Sequence, residues 1–208
     1  MNNKGYLITF EGIDGCGKTT QAELLYTHLA GLGLRVHLFR EPGGTVVGEK
    51  IRSLLLDSSN TDMEPLAELF LYLAARVQIT RRLIMPALEN GYTVIMDRYS
   101  DSTVAYQGFA RNIGREITQQ LNVIATSGLV PNLTFIVDCS PETALTRFSG
   151  RPDRLESEGV SFMSLVREGF LFIASAEPER CVLIDGEQSV DDISSRIRSV
   201  VFERLKLG

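Results

Sequence analysis

The stretch FEGIDGCGKTT, Phe10 to Thr20, decides the fold: it sets three glycines and a single lysine between an apolar run and a run with helical spacing. Gly12, Gly17, Lys18 and Thr19 satisfy the pattern G-x-x-x-x-G-K-[ST], and a strand before it and a helix after it are the context that pattern requires. Glycines there let successive backbone N–H groups turn inward around a phosphate. Lys18 adds a fixed positive charge for the outer phosphates, and Thr19 offers a hydroxyl to Mg2+. The whole loop (Gly12, Ile13, Asp14, Gly15, Cys16, Gly17, Lys18, Thr19 and Thr20) is therefore expected to hold a nucleoside triphosphate with Mg2+.

Outward from the loop, short apolar runs without polar alternation recur at Tyr6–Phe10, Val36–Phe39, Thr93–Met96, Leu133–Val137 and Cys181–Ile184. Strands of this kind belong in a parallel sheet covered on both faces, where neither side meets water. Helical spacing fills the gaps, as at Ala22, Leu25, Leu29 and Leu32 with Gly33 as a stop. The alternation predicts an α/β fold: a P-loop NTPase-like, doubly wound five-stranded parallel sheet with helices on both faces, ligands at the carboxyl ends of the strands, and one domain over residues 1–208.

Two segments break the regularity. Met63–Glu89 reads as one long helix interrupted near Pro86, which lacks a backbone donor. Its first half, PLAELFLYLAA, is apolar almost all round and needs cover on two sides, so a homodimer contact is expected there. Arg147–Gly159, RFSGRPDRLESEG, is densely charged and punctuated by Gly and Pro, and reads as a small mobile lid.

Composition excludes several classes. The 208 residues carry a formal net charge of -5, against a general nucleic-acid binder. The 3 cysteines lack metal-ligand spacing and suit a reducing compartment. The N-terminal residues lack a signal-peptide core and no run is long enough to cross a bilayer, so a cytoplasmic protein without membrane contact is expected.

A P-loop alone does not choose among GTPases, motors, transporters and kinases. No N-K-x-D element is present, whereas REPGGT (Arg40–Thr45), LYLAARVQ (Leu71–Gln78) and IMDRYSDSTVAYQG after the third strand supply a second, acceptor-side set. Together with FEGIDGCGKTT, DRLE and the IDGEQS region, these resemble the thymidylate kinase family over nearly the whole chain. The resemblance implies ATP and dTMP as substrates, dTDP and ADP as products, a role in dTTP synthesis, and a homodimer.

Carried over position by position, the resemblance implies that Arg98 holds the acceptor phosphate, a dianion suited to a two-pronged guanidinium contact. It implies that Arg76 donates to thymine O4, an acceptor where cytosine carries a donor. Tyr72 stacks on the base, Tyr106 crowds the 2' carbon, Thr103 and Gln107 contact the nucleotide, Pro42 packs beside it, and Asp14 meets the 3' hydroxyl. Asp97 either orients Mg2+ through water or fixes Arg98.

No general base is needed, because a phosphate monoester with a second pKa of about 6 is already a nucleophile at neutral pH. The task is alignment and counter-charge. Some relatives carry an arginine in the P-loop one residue after its acid, but Gly15 stands there in this chain, as in the bacterial type whose cations lie in the lid. Arg151 and Arg154 are therefore expected to fold over ATP and, with Lys18 and Arg98, to be catalytic. His28 and His37 fall on a helix and in a strand and are expected to have no catalytic part.

Overall fold

The protein is described by a computed structural model over residues 5–147 and 153–205. Its five strands, β1 (Leu7–Glu11), β2 (Val36–Arg40), β3 (Thr93–Asp97), β4 (Leu133–Asp138) and β5 (Cys181–Asp185), form one sheet in the order β2-β3-β1-β4-β5. Every neighbouring pair is parallel. β1 sits in the middle, and the chain winds to β2 on one side and β4 on the other. The crevice opened by that reversal lies at the carboxyl end of β1, where the P-loop begins. Phe10 is in register with Asp97, so the P-loop and the acceptor loop leave the sheet side by side.

The central strands behave as their sequences require: β1 is buried throughout, and β3 and β4 are buried up to their terminal Asp97 and Asp138. The edge strands correct the expectation of complete cover. β2 is only partly buried, and Leu183 of β5 is 49% exposed. A sheet edge has a neighbour on one side only, and apolar content does not reveal which strand takes that place.

Helices α1 (Lys18–Gly31), α2 (Val46–Leu56) and α3 (Pro65–Ile79) follow in turn. α1 runs directly out of the P-loop and ends just before Gly33. The helix expected over Met63–Glu89 is interrupted as anticipated: α3 passes through a π-helical turn, Thr80–Ile84, into α4 (Met85–Glu89) with Pro86 in its first turn. The widened turn, in which the Met85 N–H donates to the Thr80 carbonyl, accommodates the carbonyl that Pro86 leaves without a donor. Beyond β3, α5 (Ser100–Thr103) continues as a second π-helical segment, Val104–Ala110, before α6 (Arg115–Thr126). The rest comprises α7 (Pro141–Thr146), a 3-10 turn at Glu156–Glu158, α8 (Val160–Ala176) and α9 (Val190–Leu205).

The main core packs Phe10, Ile95, Phe135 and Leu25 with Phe170 of α8 and Ile197 of α9. On α3, Leu69 and Leu73 are buried, whereas Leu66 and Phe70 are 48% and 53% exposed. All 3 cysteines are buried and free. No helix among the described residues is long and apolar enough to cross a membrane.

Candidate active site

The P-loop builds its cleft from backbone. Gly17 caps α1 in a left-handed conformation, and Lys18 lies 5% exposed with its Nζ donating to the Ile13 carbonyl at 3.3 Å and to Asp14 Oδ1 at 3.0 Å. Residues Asp14 to Thr20 line the cleft, which has a volume of ≈ 980 Å³, while Ile13 turns into the core. Thr19 Oγ1 donates to Asp97 Oδ2 at 2.6 Å. The other oxygen, Asp97 Oδ1, is buried without a hydrogen-bond partner. A hydroxyl beside a carboxylate with a spare lone pair is a hard oxygen pair, the donor set that Mg2+ accepts when phosphates and water complete its shell.

Gly15, the position at which some relatives carry arginine, has φ 83° and lies against α7, where a Cβ would stand 2.4 Å from the Ala144 carbonyl oxygen. A side chain at that position collides with backbone unless α7 moves. The missing P-loop cation is thus a matter of packing.

The acceptor side is assembled from side chains. Arg98, at the carboxyl end of β3, has φ 67° although it is not glycine, a conformation costing about 1–3 kcal/mol that persists when its surroundings over-determine it. Its backbone N–H donates to the Phe10 carbonyl at 2.9 Å. Its guanidinium reaches Asp14 Oδ1 at 2.7 Å, the Tyr106 hydroxyl at 3.0 Å and Ser102 Oγ at 3.0 Å. Ser102 in turn donates to Glu11 Oε2 at 2.6 Å, and Glu11 Oε1 accepts the Tyr99 N–H at 2.8 Å.

Two acids three residues apart are pushed in opposite directions. Burial, and then the neighbouring Asp101 charge, raise the Glu11 carboxyl from 4.5 to about 7. For Asp14, burial alone acts upward, but the Arg98 and Lys18 charges overcome it and hold the carboxyl far below the ordinary range. Asp14 therefore stays ionised between the cation of the donor cleft and the cation of the acceptor pocket.

The acceptor pocket, ≈ 470 Å³, is walled by Pro42, Tyr72, Arg98, Thr103, Tyr106 and Gln107. The sequence-based site residues converge here, with Pro42 following a cis peptide bond from Glu41.

Arg76 does not line this pocket. Its side chain, 1% exposed, gives Nε to Glu41 Oε2 at 2.8 Å, Nη1 to Thr103 Oγ1 and to Asn122 Oδ1 at 2.8 Å, and Nη2 to the Tyr99 carbonyl at 2.9 Å. Nη2 also lies 2.6 Å from Glu41 Oε2. Each of its nitrogens is engaged, so a direct bond from Arg76 to thymine O4 requires one of these partners to let go. Its partners Glu41 and Thr103 do face the pocket.

Of the lid arginines, Arg147 lines the P-loop cleft and donates to the Gly186 carbonyl at 2.8 Å. Arg154 points elsewhere. It is buried, donates from Nε to the Leu55 carbonyl at 2.9 Å and pairs through Nη2 with Glu68 Oε2 at 2.6 Å. Arg151 lies outside the described residues, as does much of the expected lid segment.

Sequence reasoning passed over Arg52, Glu41, Ser102 and Glu11. Arg52 stands in the acceptor pocket, donating to the Pro42 carbonyl at 3.0 Å and pairing with no carboxylate among the described residues. Its only advance signal is a basic residue within the amphipathic IRSLLL of α2. Glu11 directly precedes the P-loop motif, but nothing in its spacing marks it as Arg98's indirect anchor.

Comparison with known proteins places this site in context. The family model described as Thymidylate kinase matches residues 10–197. The thymidylate kinase of Caldanaerobacter subterraneus subsp. tengcongensis is 47% identical over 204 residues, covering 98% of each chain. That of a Sulfurihydrogenibium species is 48% identical over 189 residues, covering 91% of this chain and 93% of its own. Among solved structures, the thymidylate kinase of Ehrlichia chaffeensis superposes with a TM-score of 0.79 at 34% identity, covering 95% of this chain and 98% of its own.

Proposed function

This chain belongs to the thymidylate kinase family, and from that premise we infer how its own residues divide the transfer of the γ-phosphoryl group of ATP to dTMP, giving dTDP and ADP. The observation that carries the reading is Asp14. One carboxylate holds Lys18 of the P-loop cleft at 3.0 Å and Arg98 of the acceptor pocket at 2.7 Å, so the two cations are fixed relative to each other where the two cavities meet.

The P-loop amides and Lys18 hold the ATP phosphates. Arg98, with Arg52 as a second cation, holds the phosphate of dTMP. Thr19 and Asp97 would hold Mg2+, whose charge, when bound with ATP, neutralises the oxygens of the transferring group. The acceptor phosphate is a dianion near neutral pH, so no residue has to remove a proton, and the protein's contribution is alignment, counter-charge and exclusion of water. Tyr72 lies against the base. Thr103 and Glu41, set in place by Arg76, present the polar edge that meets the ring, with Gln107 beside them. Tyr106, held between Arg98 and Asp14, closes the space at the sugar's 2' carbon. Arg147 flanks the nucleotide in the P-loop cleft.

An ADP-release assay across dTMP, dUMP, dCMP, dAMP and thymidine tests the reading. dTMP is expected to turn over best and dUMP measurably, since a missing methyl is worth only about 1 kcal/mol. Best turnover with dCMP or thymidine would overturn it. We further propose a cytoplasmic homodimer joined through Leu66 and Phe70 of α3 with Val123 and Ile124 of α6, all exposed in the single chain. Light scattering should give the mass of two chains, and Phe70→Glu should return one.

A further inference from the structure

Among the described residues Glu68 is, like Glu11, an acid outside the two cavities with 0% exposure, and it pairs with two arginines. It sits in the first turn of α3, and its carboxylate gathers three side chains from two other parts of the chain. Gln107 Nε2 donates to Oε1 at 2.8 Å from the pocket wall, and Arg111 reaches Oε1 at 3.3 Å and Oε2 at 3.1 Å. Arg154 pairs with Oε2 at 2.6 Å from the far side. Arg111 also pairs with Glu158 at 2.5 Å, so the segment from Arg154 to Glu158 is tied to the same cluster twice.

What these partners touch gives the cluster a meaning. Gln107 lines the acceptor pocket, and so do Asp153 and Leu155, the residues on either side of Arg154. Leu155 is itself 8% exposed. Glu156, one residue on, lines the P-loop cleft. The 153–158 segment is therefore the roof shared by both cavities, and it is pinned to α3 through the same carboxylate that fixes Gln107. A buried carboxylate held by two guanidiniums and an amide has little freedom to swap partners, because Arg154, once released, is left buried without a carboxylate.

We propose that Glu68 is a positioning residue that couples occupancy of the acceptor pocket to the placement of the 153–158 roof, Gln107 being the arm that senses dTMP and Arg154 the arm that holds the roof. The proposal rests on the reading of the pocket as the dTMP site. When dTMP engages Gln107, the amide is held, the carboxylate is held with it, and the roof is set over both substrates. Arg154 acts in this arrangement through Glu68, away from the ATP phosphates.

The test is hydrogen exchange over residues 153–158 with and without dTMP, in the full-length protein and in Glu68→Gln, alongside calorimetric dTMP affinity and a thermal melt. In the wild type, dTMP should slow exchange in this segment. Glu68→Gln, which keeps the shape and removes the charge, should weaken dTMP binding about tenfold, the scale of an ordinary coupling between sites. It should also abolish the dTMP-dependent slowing. A purely structural role would lower the melting temperature and leave that difference intact. Unchanged affinity and unchanged slowing in a folded Glu68→Gln, or no slowing in a wild type that binds dTMP, would overturn the proposal. Should Glu68→Gln fail to fold, Arg154→Gln leaves Glu68 paired with Arg111 and Gln107. That variant is expected to lose the slowing, and retained slowing counts against the coupling. Failure of the wild type to bind dTMP would instead strike the reading of the pocket itself.

Discussion

The donor cleft and the acceptor pocket meet at Asp14 but are built on opposite plans. The floor of the donor cleft comes from a single run of chain, Asp14 to Gln21, with Arg147, Glu156 and the 186–193 segment closing its sides. Its chemistry is that of backbone amides, one lysine and a helix start. The acceptor pocket draws on the P-loop, the loops after β2 and β3, α2, α3, α5, the π-helical segment and the 153–158 roof, and Arg98, Thr103, Tyr106 and Gln107 there are side chains held by other side chains. A backbone site tolerates changes in what surrounds it and fails when its own glycines change. A side-chain site should fail through its buttresses.

The largest effect expected from this contrast follows removal of Arg98. Arg98→Ala deletes the pocket's main cation and one of the two charges that hold Asp14. Loss of one such charge-stabilising donor typically costs about 10²–10³ in rate, so kcat/KM for dTMP should fall by about that factor while ATP affinity, measured by calorimetry with dTMP absent, changes little. Comparable losses of both affinities would erase the distinction between the two sites.

Arg76 separates a buttress from a reader. Its nitrogens are all engaged inside the protein, and Glu41 depends on it for charge. Arg76→Gln should therefore destabilise the fold by about 3–5 kcal/mol, the usual cost of breaking a buried pair, as read from urea denaturation. Loss of the dTMP over dCMP preference should come only with that destabilisation. Near-native stability with collapsed selectivity would show that Arg76 reads the base directly.

This contrast also explains what was legible in the sequence. The P-loop could be read because its function is local: fixed spacing of Gly12, Gly17, Lys18 and Thr19 dictates backbone geometry. The central strands could be read because burial on two faces demands continuous apolar runs. Arg98 and Tyr106 became visible through resemblance to a family, since a side chain at the end of one strand carries no local sign of what it will meet. Ser102 and Glu68 carried no sign, and Arg52 only its place in an amphipathic helix, because Glu11, Arg154 and the pocket itself are brought to them only by the fold. Arg154 was placed over ATP on its sequence neighbourhood, whereas burial pairs it with Glu68 on α3.

Within the donor loop, two glycines sharpen the same point at smaller scale. Both Gly15 and Gly17 have positive φ, 83° and 95°, but a Cβ at Gly15 meets the Ala144 carbonyl whereas one at Gly17 meets nothing within 4 Å. Gly17→Ala should cost only the backbone conformation, roughly 1–2 kcal/mol. Gly15→Ala adds a displacement of α7 and should cost roughly 2–5 kcal/mol in all, with a matching loss of ATP affinity. Equal costs in thermal melts would mean that α7 yields freely.

A graded effect lies at the seam, in the pH dependence that Glu11 and Asp14 impose in opposite senses. For Asp14 the folded-state pKa is depressed, so its stabilisation is present above the unfolded value of 3.8 and is lost as pH falls below it. Glu11 runs the other way. Its folded pKa of about 7 exceeds the unfolded 4.5, so between those values the folded state binds the proton more tightly, and stability falls as pH rises through that window and levels off above it. The groups facing Glu11 fit this sign: Asp101 opposes its charge, Arg98 favours it, and Arg180 is committed to Asp101 at 2.7 Å. Glu11→Gln keeps an acceptor for the Tyr99 N–H and a donor toward Ser102, as the protonated acid does, but cannot ionise. Urea denaturation at pH 5, 6, 7 and 8 should show the wild type losing on the order of 2 kcal/mol relative to Glu11→Gln across the series. Parallel curves would mean that Glu11 titrates as an ordinary carboxylate and that Ser102 anchors Arg98 without it.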